Sequence, residues 1–227
     1  PSLYERFGTA LFSGRYSVYG DPNLSPDRAI SIDFGFDQYF ASNKAKISAT
    51  YFYTRLQQVV GFGPVAREPF GRTSGYFNTG GALSRGVELS ASLQPTRKLS
   101  IQTAYAHAAT LERRSIFLTG ELQSQRVFPN TYSLTTTYFF TKSFDATFDY
   151  FAASSYLVPF FVSTGSRAFR FPGPRKADIA TRYRIPVADR HSIELFARLE
   201  NINNQTYYEA GYLTPRFWGT AGLRWKF

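Results

Sequence analysis

The sequence predicts an all-β protein, an antiparallel up-and-down transmembrane β-barrel. Three observations carry that reading. After an opening fragment, nine segments alternate apolar and polar residues with a period of two, so successive side chains leave on opposite faces of a strand. The connections alternate between short turns and long loops, so one end of the sheet is tight and the other elaborated. Most apolar faces are closed near an end by Tyr, Phe or Trp, as the aromatic girdles of a membrane barrel require. A soluble sandwich also exposes polar faces, but its connections have no reason to sort into a short end and a long one.

In chain order, residues 1–8 read as the end of a strand, and a polar loop with two Pro and two Asp runs to Asp27. The first full strand sets Ile30, Ile32, Phe34 and Phe36 against Ser31, Asp33, Gly35 and Asp37. The second sets Ala45, Ile47, Ala49, Tyr51 and Tyr53 against Lys46, Ser48, Thr50, Phe52 and Thr54. A loop rich in Gly, Pro and Arg follows around residues 61–72. Val87, Leu89, Ala91 and Leu93 oppose Glu88, Ser90 and Ser92, and a tight turn leads to Leu99, Ile101, Thr103 and Tyr105. Beyond a long loop at about 111–128, Tyr132, Leu134, Thr136 and Tyr138 face away from Ser133, Thr135 and Thr137. Phe144, Ala146, Phe148 and Tyr150 then oppose Asp145, Thr147 and Asp149. A third long loop is expected at about 157–174. Ala177, Ile179, Thr181, Tyr183 and Ile185 follow, against Asp178, Arg182 and Arg184. Ile193, Leu195, Ala197 and Leu199 oppose Glu194, Arg198 and Glu200, and a loop at 203–215 precedes the last strand. In that strand Leu223, Trp225 and Phe227 share the apolar face, and Arg224 and Lys226 the other.

Composition narrows the function. The 227 residues contain no Cys and two His, His107 and His191, on separate strands. A disulfide framework and a thiolate metal site are excluded, and no cofactor or metal is expected. Nothing approaches the roughly 20 consecutive apolar residues of a spanning helix. The mean hydropathy of −0.27 suits a barrel, in which alternate residues alone face lipid. The net charge of +10 comes from Arg and Lys spread thinly, so no nucleic-acid surface is expected. Pro1 begins in mid-pattern without a secretory signal, which suggests a mature product or a piece of something longer.

Four stretches carry a family resemblance. They are Pro1-Ser-Leu-Tyr-Glu5 with Asp21-Pro-Asn-Leu-Ser-Pro-Asp27, Ser84-Arg-Gly-Val-Glu-Leu89, Glu200-Asn-Ile-Asn-Asn-Gln-Thr-Tyr207, and Gly222-Leu-Arg-Trp-Lys-Phe227. In order and spacing the chain resembles the C-terminal part of a TonB-dependent outer-membrane receptor. The matching patterns have Asn at 21, Glu at 27 and Leu at 202, where this chain has Asp21, Asp27 and Ile202. The resemblance implies a 22-stranded barrel in the bacterial outer membrane, closed by an N-terminal plug, of which residues 1–227 form the C-terminal portion. The plug and the N-terminal strands are missing from that picture. It further implies energy-coupled uptake of a scarce nutrient, most often a ferric siderophore, and no enzymatic activity. Its partners would be the rest of the receptor, the TonB complex, outer-membrane lipid, the barrel-assembly machinery and a small-molecule ligand such as a metal–siderophore complex. A passive porin or a small binding barrel is the alternative.

The expected ligand contacts lie in the long loops. Phe160, Phe161, Phe169 and Phe171 interleave with Arg167 and Arg170, a pattern that stacks on planar groups and pairs with anions. The plainer reading is a barrel loop packed by its own aromatics. Arg113 and Arg126 are further candidates, although they, like Arg114, Arg67 and Arg72, read more plainly as solvated loop charge. Tyr207, Tyr208 and Tyr212 are expected to belong to the interfacial girdle. Asp33, Glu88, Asp145, Arg182, Arg198 and Arg224 face the lumen, toward the plug or toward cross-strand partners. Leu223, Trp225 and Phe227 form the expected C-terminal assembly signal.

Overall fold

A computed structural model describes residues 1–12, 15–65, 72–112, 127–163, 165–188 and 191–227. The helix α1 (Leu3–Phe7) is followed by β1 (Thr9–Phe12), β2 (Arg15–Val18), β3 (Arg28–Phe40), β4 (Ala45–Pro64), β5 (Ser74–Gly80), β6 (Ala82–Thr96), β7 (Leu99–Glu112), β8 (Asn130–Phe139) and β9 (Phe144–Ala153). Then come β10 (Tyr156–Val162), β11 (Gly165–Phe171), β12 (Arg175–Ala188), β13 (His191–Glu200), β14 (Tyr208–Glu209), β15 (Tyr212–Leu213) and β16 (Trp218–Lys226).

Nine strands hydrogen-bond in the order β16-β13-β12-β9-β8-β7-β6-β4-β3, with β5 added beside the outer half of β4. All of these pairings are antiparallel and join successive members of the nine, with β5, β10–β11 and β14–β15 inserted between some of them. These are the nine strands read from the alternation. The register keeps their faces: Phe34 lies opposite Tyr51, Tyr51 opposite Val87, Leu89 opposite Tyr105, and Leu195 opposite Leu223. One face of the sheet is therefore predominantly apolar, and it is exposed: Ile32, Phe34, Leu89, Tyr183, Leu195 and Leu223 all show large areas. The polar face is the concave one, with hollows lined by Ser48, Thr50, Glu88 and Ser90, and by Thr137, Asp145, Arg182 and Arg198. A curved sheet, apolar outside and polar inside, is the wall of a barrel in lipid.

Because the apolar face turns outward, little of it is buried. Among the described residues, the buried apolar side chains Leu24, Tyr156, Leu157, Val158, Ala177 and Tyr207 all lie at the long-loop end. At the other end, residues 41–44, 97–98 and 140–143 make tight turns. In the first of them Ala41, Ser42 and Asn43 are all left-handed, with φ of 50, 54 and 66°.

Several expectations fail at the ends of strands. Residues 3–7 form a helical turn instead of a strand end. Ser2 caps it by accepting from the Glu5 amide, while the Glu5 carboxylate accepts from the Ser2 amide, a reciprocal box that closes orphan donors. The polar loop before Asp27 contains the β1–β2 hairpin. The third long loop is largely the β10–β11 hairpin, and the last carries a two-residue ladder between β14 and β15. The strand β4 continues for 20 residues, and its outer part pairs with β5.

Candidate functional site

The quoted motifs mark places where the backbone needs a specific side chain. In the Asp21–Asp27 segment, Leu24 is buried. The Asn78 side chain clasps Ser25, accepting from its amide at 2.8 Å and donating to its carbonyl at 2.9 Å. Asp27 accepts from the Val60 amide at 2.8 Å. Asp21 accepts from the Asn23 amide at 2.9 Å and from Arg72 at 3.3 Å. Arg72 is buried, contrary to the solvated position expected of it. Its Nη1 donates to the carbonyls of Gly20 at 2.8 Å, Tyr19 at 3.2 Å and Tyr76 at 3.2 Å. A guanidinium has five donors in a fixed fork, and here the fork binds the opening segment to the root of β5. Around that joint Tyr76 packs edge-on with Tyr4 and with Phe62, and Tyr19 packs tilted against Phe62.

The 200–207 stretch works similarly. Asn201 is almost fully buried, with φ of +53°, a conformation Asn tolerates better than other non-glycine residues. Its amide donates to Asp178 at 2.8 Å. Its side chain donates to the Gln205 carbonyl at 2.8 Å and accepts from the Gln205 amide at 2.9 Å. Asn203 accepts from the Ala177 amide and donates to the Arg175 carbonyl. The side chains thus continue the ladder where the strands diverge. In the other two motifs a glycine admits a ring from the neighbouring strand: Phe52 covers Gly86, and Phe196 covers Gly222, a form of aromatic rescue.

The β10–β11 hairpin brings the loop aromatics together. The register pairs Tyr156 with Phe171, Val158 with Phe169 and Phe160 with Arg167 on one face, and Leu157 with Arg170 on the other. The Phe160 ring lies 6.0 Å from both Phe169 and Phe171, and Phe171 lies 5.3 Å from Tyr208. The Tyr156 hydroxyl donates to the Tyr208 carbonyl at 2.7 Å, and its ring meets Phe128 at 4.5 Å. Phe160 and Phe171 are half-buried in this cluster, whereas Phe169 is 40% exposed beneath the Arg167 guanidinium, 5.7 Å from its ring centre. Arg170 points away, toward Ser155. Phe161 lies opposite Ser166 in the ladder. Tyr207 is buried and Tyr212 is exposed, so the three tyrosines do not form one girdle. Arg67, Arg113, Arg114 and Arg126 lie outside the described residues.

On the concave face the lumen candidates divide into two groups. Arg182 donates twice to Asp145, at 2.8 and 3.0 Å. Arg198 pairs with Asp178 at 3.3 Å and Glu200 at 3.1 Å. Arg224 and Lys226 each reach Glu194 at 2.8 Å, with Arg184 at 3.8 Å. A hollow of about 480 Å³ opens among Asp145, Arg182, Glu194, Phe196, Arg198 and Arg224. Asp33 and Glu88 stand apart on β3 and β6, opposite Phe52 and Thr50 respectively. Leu223, Trp225 and Phe227 stand exposed along β16 and just beyond it. Among the described residues, no three His, Cys, Asp or Glu converge as a metal site.

A family model described as TonB dependent receptor-like, beta-barrel, matches residues 1–204. Among solved structures, the chain is similar to FpvA of P. aeruginosa bound to a heterologous pyoverdine–iron complex, with a TM-score of 0.70 and 17% identity. That match covers 90% of this chain and 28% of that one. It is similar to the siderophore receptor PirA from Acinetobacter baumannii, with a TM-score of 0.67 and 15% identity over 98% of this chain and 35% of that one. The copper transporter OprC gives a TM-score of 0.65 at 17% identity, over 97% and 34%. The chain thus spans about a third of the length of these structures. No curated protein matches the chain.

Proposed function

Because the chain belongs to the TonB-dependent receptor-like β-barrel family of the bacterial outer membrane, we propose that it forms the C-terminal wall of an energy-coupled receptor. That receptor takes up a scarce nutrient, a ferric siderophore, across the outer membrane. The observation that carries the ligand reading is the Arg167–Phe169 pair, exposed at the long-loop end on a hairpin braced by Phe160 and Phe171. A guanidinium over an aromatic face offers both stacking and charge to a planar, anionic iron complex. The names of FpvA and PirA support this class, while that of OprC supports metal uptake without a siderophore.

In this reading the long-loop end is extracellular and the short turns are periplasmic. Asp33, Glu88, Asp145, Arg182, Arg198 and Arg224 face a plug supplied by the rest of the receptor. Leu223, Trp225 and Phe227 meet lipid and the assembly machinery. The test is uptake of radiolabelled iron–siderophore complexes by iron-starved cells producing the receptor. We expect uptake that stops when a protonophore collapses the proton gradient, and ligand affinity at least about tenfold weaker in Arg167→Ala/Phe169→Ala, in line with a lost stacked and charged contact. Uptake that survives the protonophore would instead favour a passive pore. Affinity unchanged in the double variant would remove the hairpin from the ligand site.

A further inference from the structure

The convex face carries its own charge pattern. The strand register assigns Arg28, Arg55, Arg85 and Arg175 to the same face as Ile30, Tyr53, Val87 and Ala177. All four arginines are exposed and stand at the long-loop end of their strands. No Asp or Glu among the described residues of the nine strands shares that face; Asp33, Asp37, Glu88, Asp145, Asp149, Asp178, Glu194 and Glu200 are all on the concave one. The arginines of the lumen wall each meet a carboxylate, whereas the side chains of Arg28, Arg55 and Arg85 meet none among the described residues.

Three of these arginines form a row. Tyr53 pairs with Arg85, so Arg55 and Arg85 are diagonal neighbours, about 7–8 Å apart. Ile30 pairs with Arg55, and Arg28 stands two residues before Ile30, across a register shift at which it pairs with Gln58. The row is about 15 Å long. His107 continues it on β7, opposite Asn130, and both it and Tyr105 bond to the Asn130 side-chain oxygen at 2.8 Å. Beside them a groove of about 420 Å³ opens on the same convex face, lined by Tyr105, Asn130, Tyr132, Tyr150, Ala152 and Arg175.

We propose that this row and groove are a binding site for a phosphorylated glycolipid of the outer leaflet. Guanidinium groups bind phosphate oxygens bidentately, and a face of one sign attracts anionic headgroups. A 15 Å row is wider than a single phosphodiester and matches a sugar unit bearing two phosphates. The tyrosine-lined groove next to it takes the sugar edge or an acyl chain. The site rests on the proposed orientation, with the long loops outside the cell.

The test uses the receptor purified from outer membranes, titrated with bisphosphorylated lipid A, its dephosphorylated form, phosphatidylglycerol and inorganic phosphate. Wild type should prefer bisphosphorylated lipid A. The triple variant Arg28→Gln/Arg55→Gln/Arg85→Gln should weaken that binding by about a hundredfold, at about one decade or less per arginine. The variant Arg97→Gln/Lys98→Gln, at the short-turn end, should leave it unchanged. Among the described residues none of the three arginines meets a carboxylate, so the triple variant should keep its unfolding midpoint. Equal binding by the triple variant, or equal affinity for dephosphorylated lipid A or phosphatidylglycerol, overturns the proposal. Full competition by millimolar phosphate would mark a free-anion site and overturn it as well. Orientation is tested separately by placing cysteine at the exposed Tyr212, in a chain that has none. Labelling of Tyr212→Cys on intact cells by an impermeant maleimide supports the orientation, and absence of labelling overturns both readings.

Discussion

Gly86→Ala is the substitution whose effect the structure defines most tightly. A Cβ at that position would lie 1.9 Å from the His107 carbonyl oxygen and 2.7 Å from Cζ of Phe52. An ordinary carbon–oxygen contact is about 3.3 Å, so β6 and β7 must part locally by about 1.4 Å. The ring can yield, but the carbonyl belongs to the β6–β7 ladder at the Gly86–Ala108 pair. Overpacking typically costs about 1–3 kcal/mol, and a lost ladder bond adds on the order of 1 kcal/mol. The expected destabilisation is therefore about 2–4 kcal/mol, read as a shift of the urea unfolding midpoint in detergent micelles. Gly80→Ala is the control, because a Cβ there meets nothing within 4 Å. It should range from neutral to more stable by about 1 kcal/mol. Adding Phe52→Leu to Gly86→Ala should recover only part of the loss, since the carbonyl remains. A Gly86→Ala protein within about 0.5 kcal/mol of wild type would refute the steric reasoning, and full recovery by Phe52→Leu would place the clash in the ring alone.

Two further substitutions probe the joints. Arg72→Met keeps an aliphatic stem but removes every donor to Tyr19, Gly20, Tyr76 and Asp21. Breaking such a buried charged network costs about 3–5 kcal/mol, so amides of residues 19–23 should exchange at least about a hundredfold faster while those of β13 stay protected. Unchanged exchange would show that the aromatic cluster alone holds the segment. Asn201→Ala deletes both bonds to Gln205 and favours leaving the left-handed conformation, so a loss of about 2–3 kcal/mol is expected. Thermal unfolding checks it, and Asn201→Gly, which relieves the backbone but not the bonds, should fall between the two.

The strands and their two faces were legible because alternation is written directly into each segment. Ile30 to Phe36 and Ile193 to Leu199 show every second residue apolar, and pairing preserved that order. What lay hidden depends on contacts distant in sequence. The fork of Arg72 closes on carbonyls more than 50 residues away, and nothing near position 72 distinguishes it from a solvated loop arginine. The Ser2–Glu5 box was visible as a serine three residues before a glutamate, yet a single helical turn has too few residues to establish a helical period. In sequence the β10–β11 hairpin looks like loop because Pro159 interrupts β10 and long loops carry no fixed alternation. The aromatic and arginine residues of that hairpin were visible, but not their division between two faces. The convex arginines are hidden in the sequence because Arg28, Arg55 and Arg85 look isolated until the register aligns three strands.

In the proposed receptor, the length of β4 has a consequence for ligand capture. A crossing strand uses about 9–11 residues, so roughly half of this 20-residue strand stands clear of the bilayer. There it is stiffened by β5 and braced at its root by Arg72. A flexible loop must surrender conformational freedom at the moment a ligand arrives, which weakens binding. This rampart has already lost that freedom in folding, so it presents a fixed shape to whatever diffuses past. Selectivity on this side of the mouth would then evolve by exchanging side chains on a standing wall, with the backbone contour left as it is.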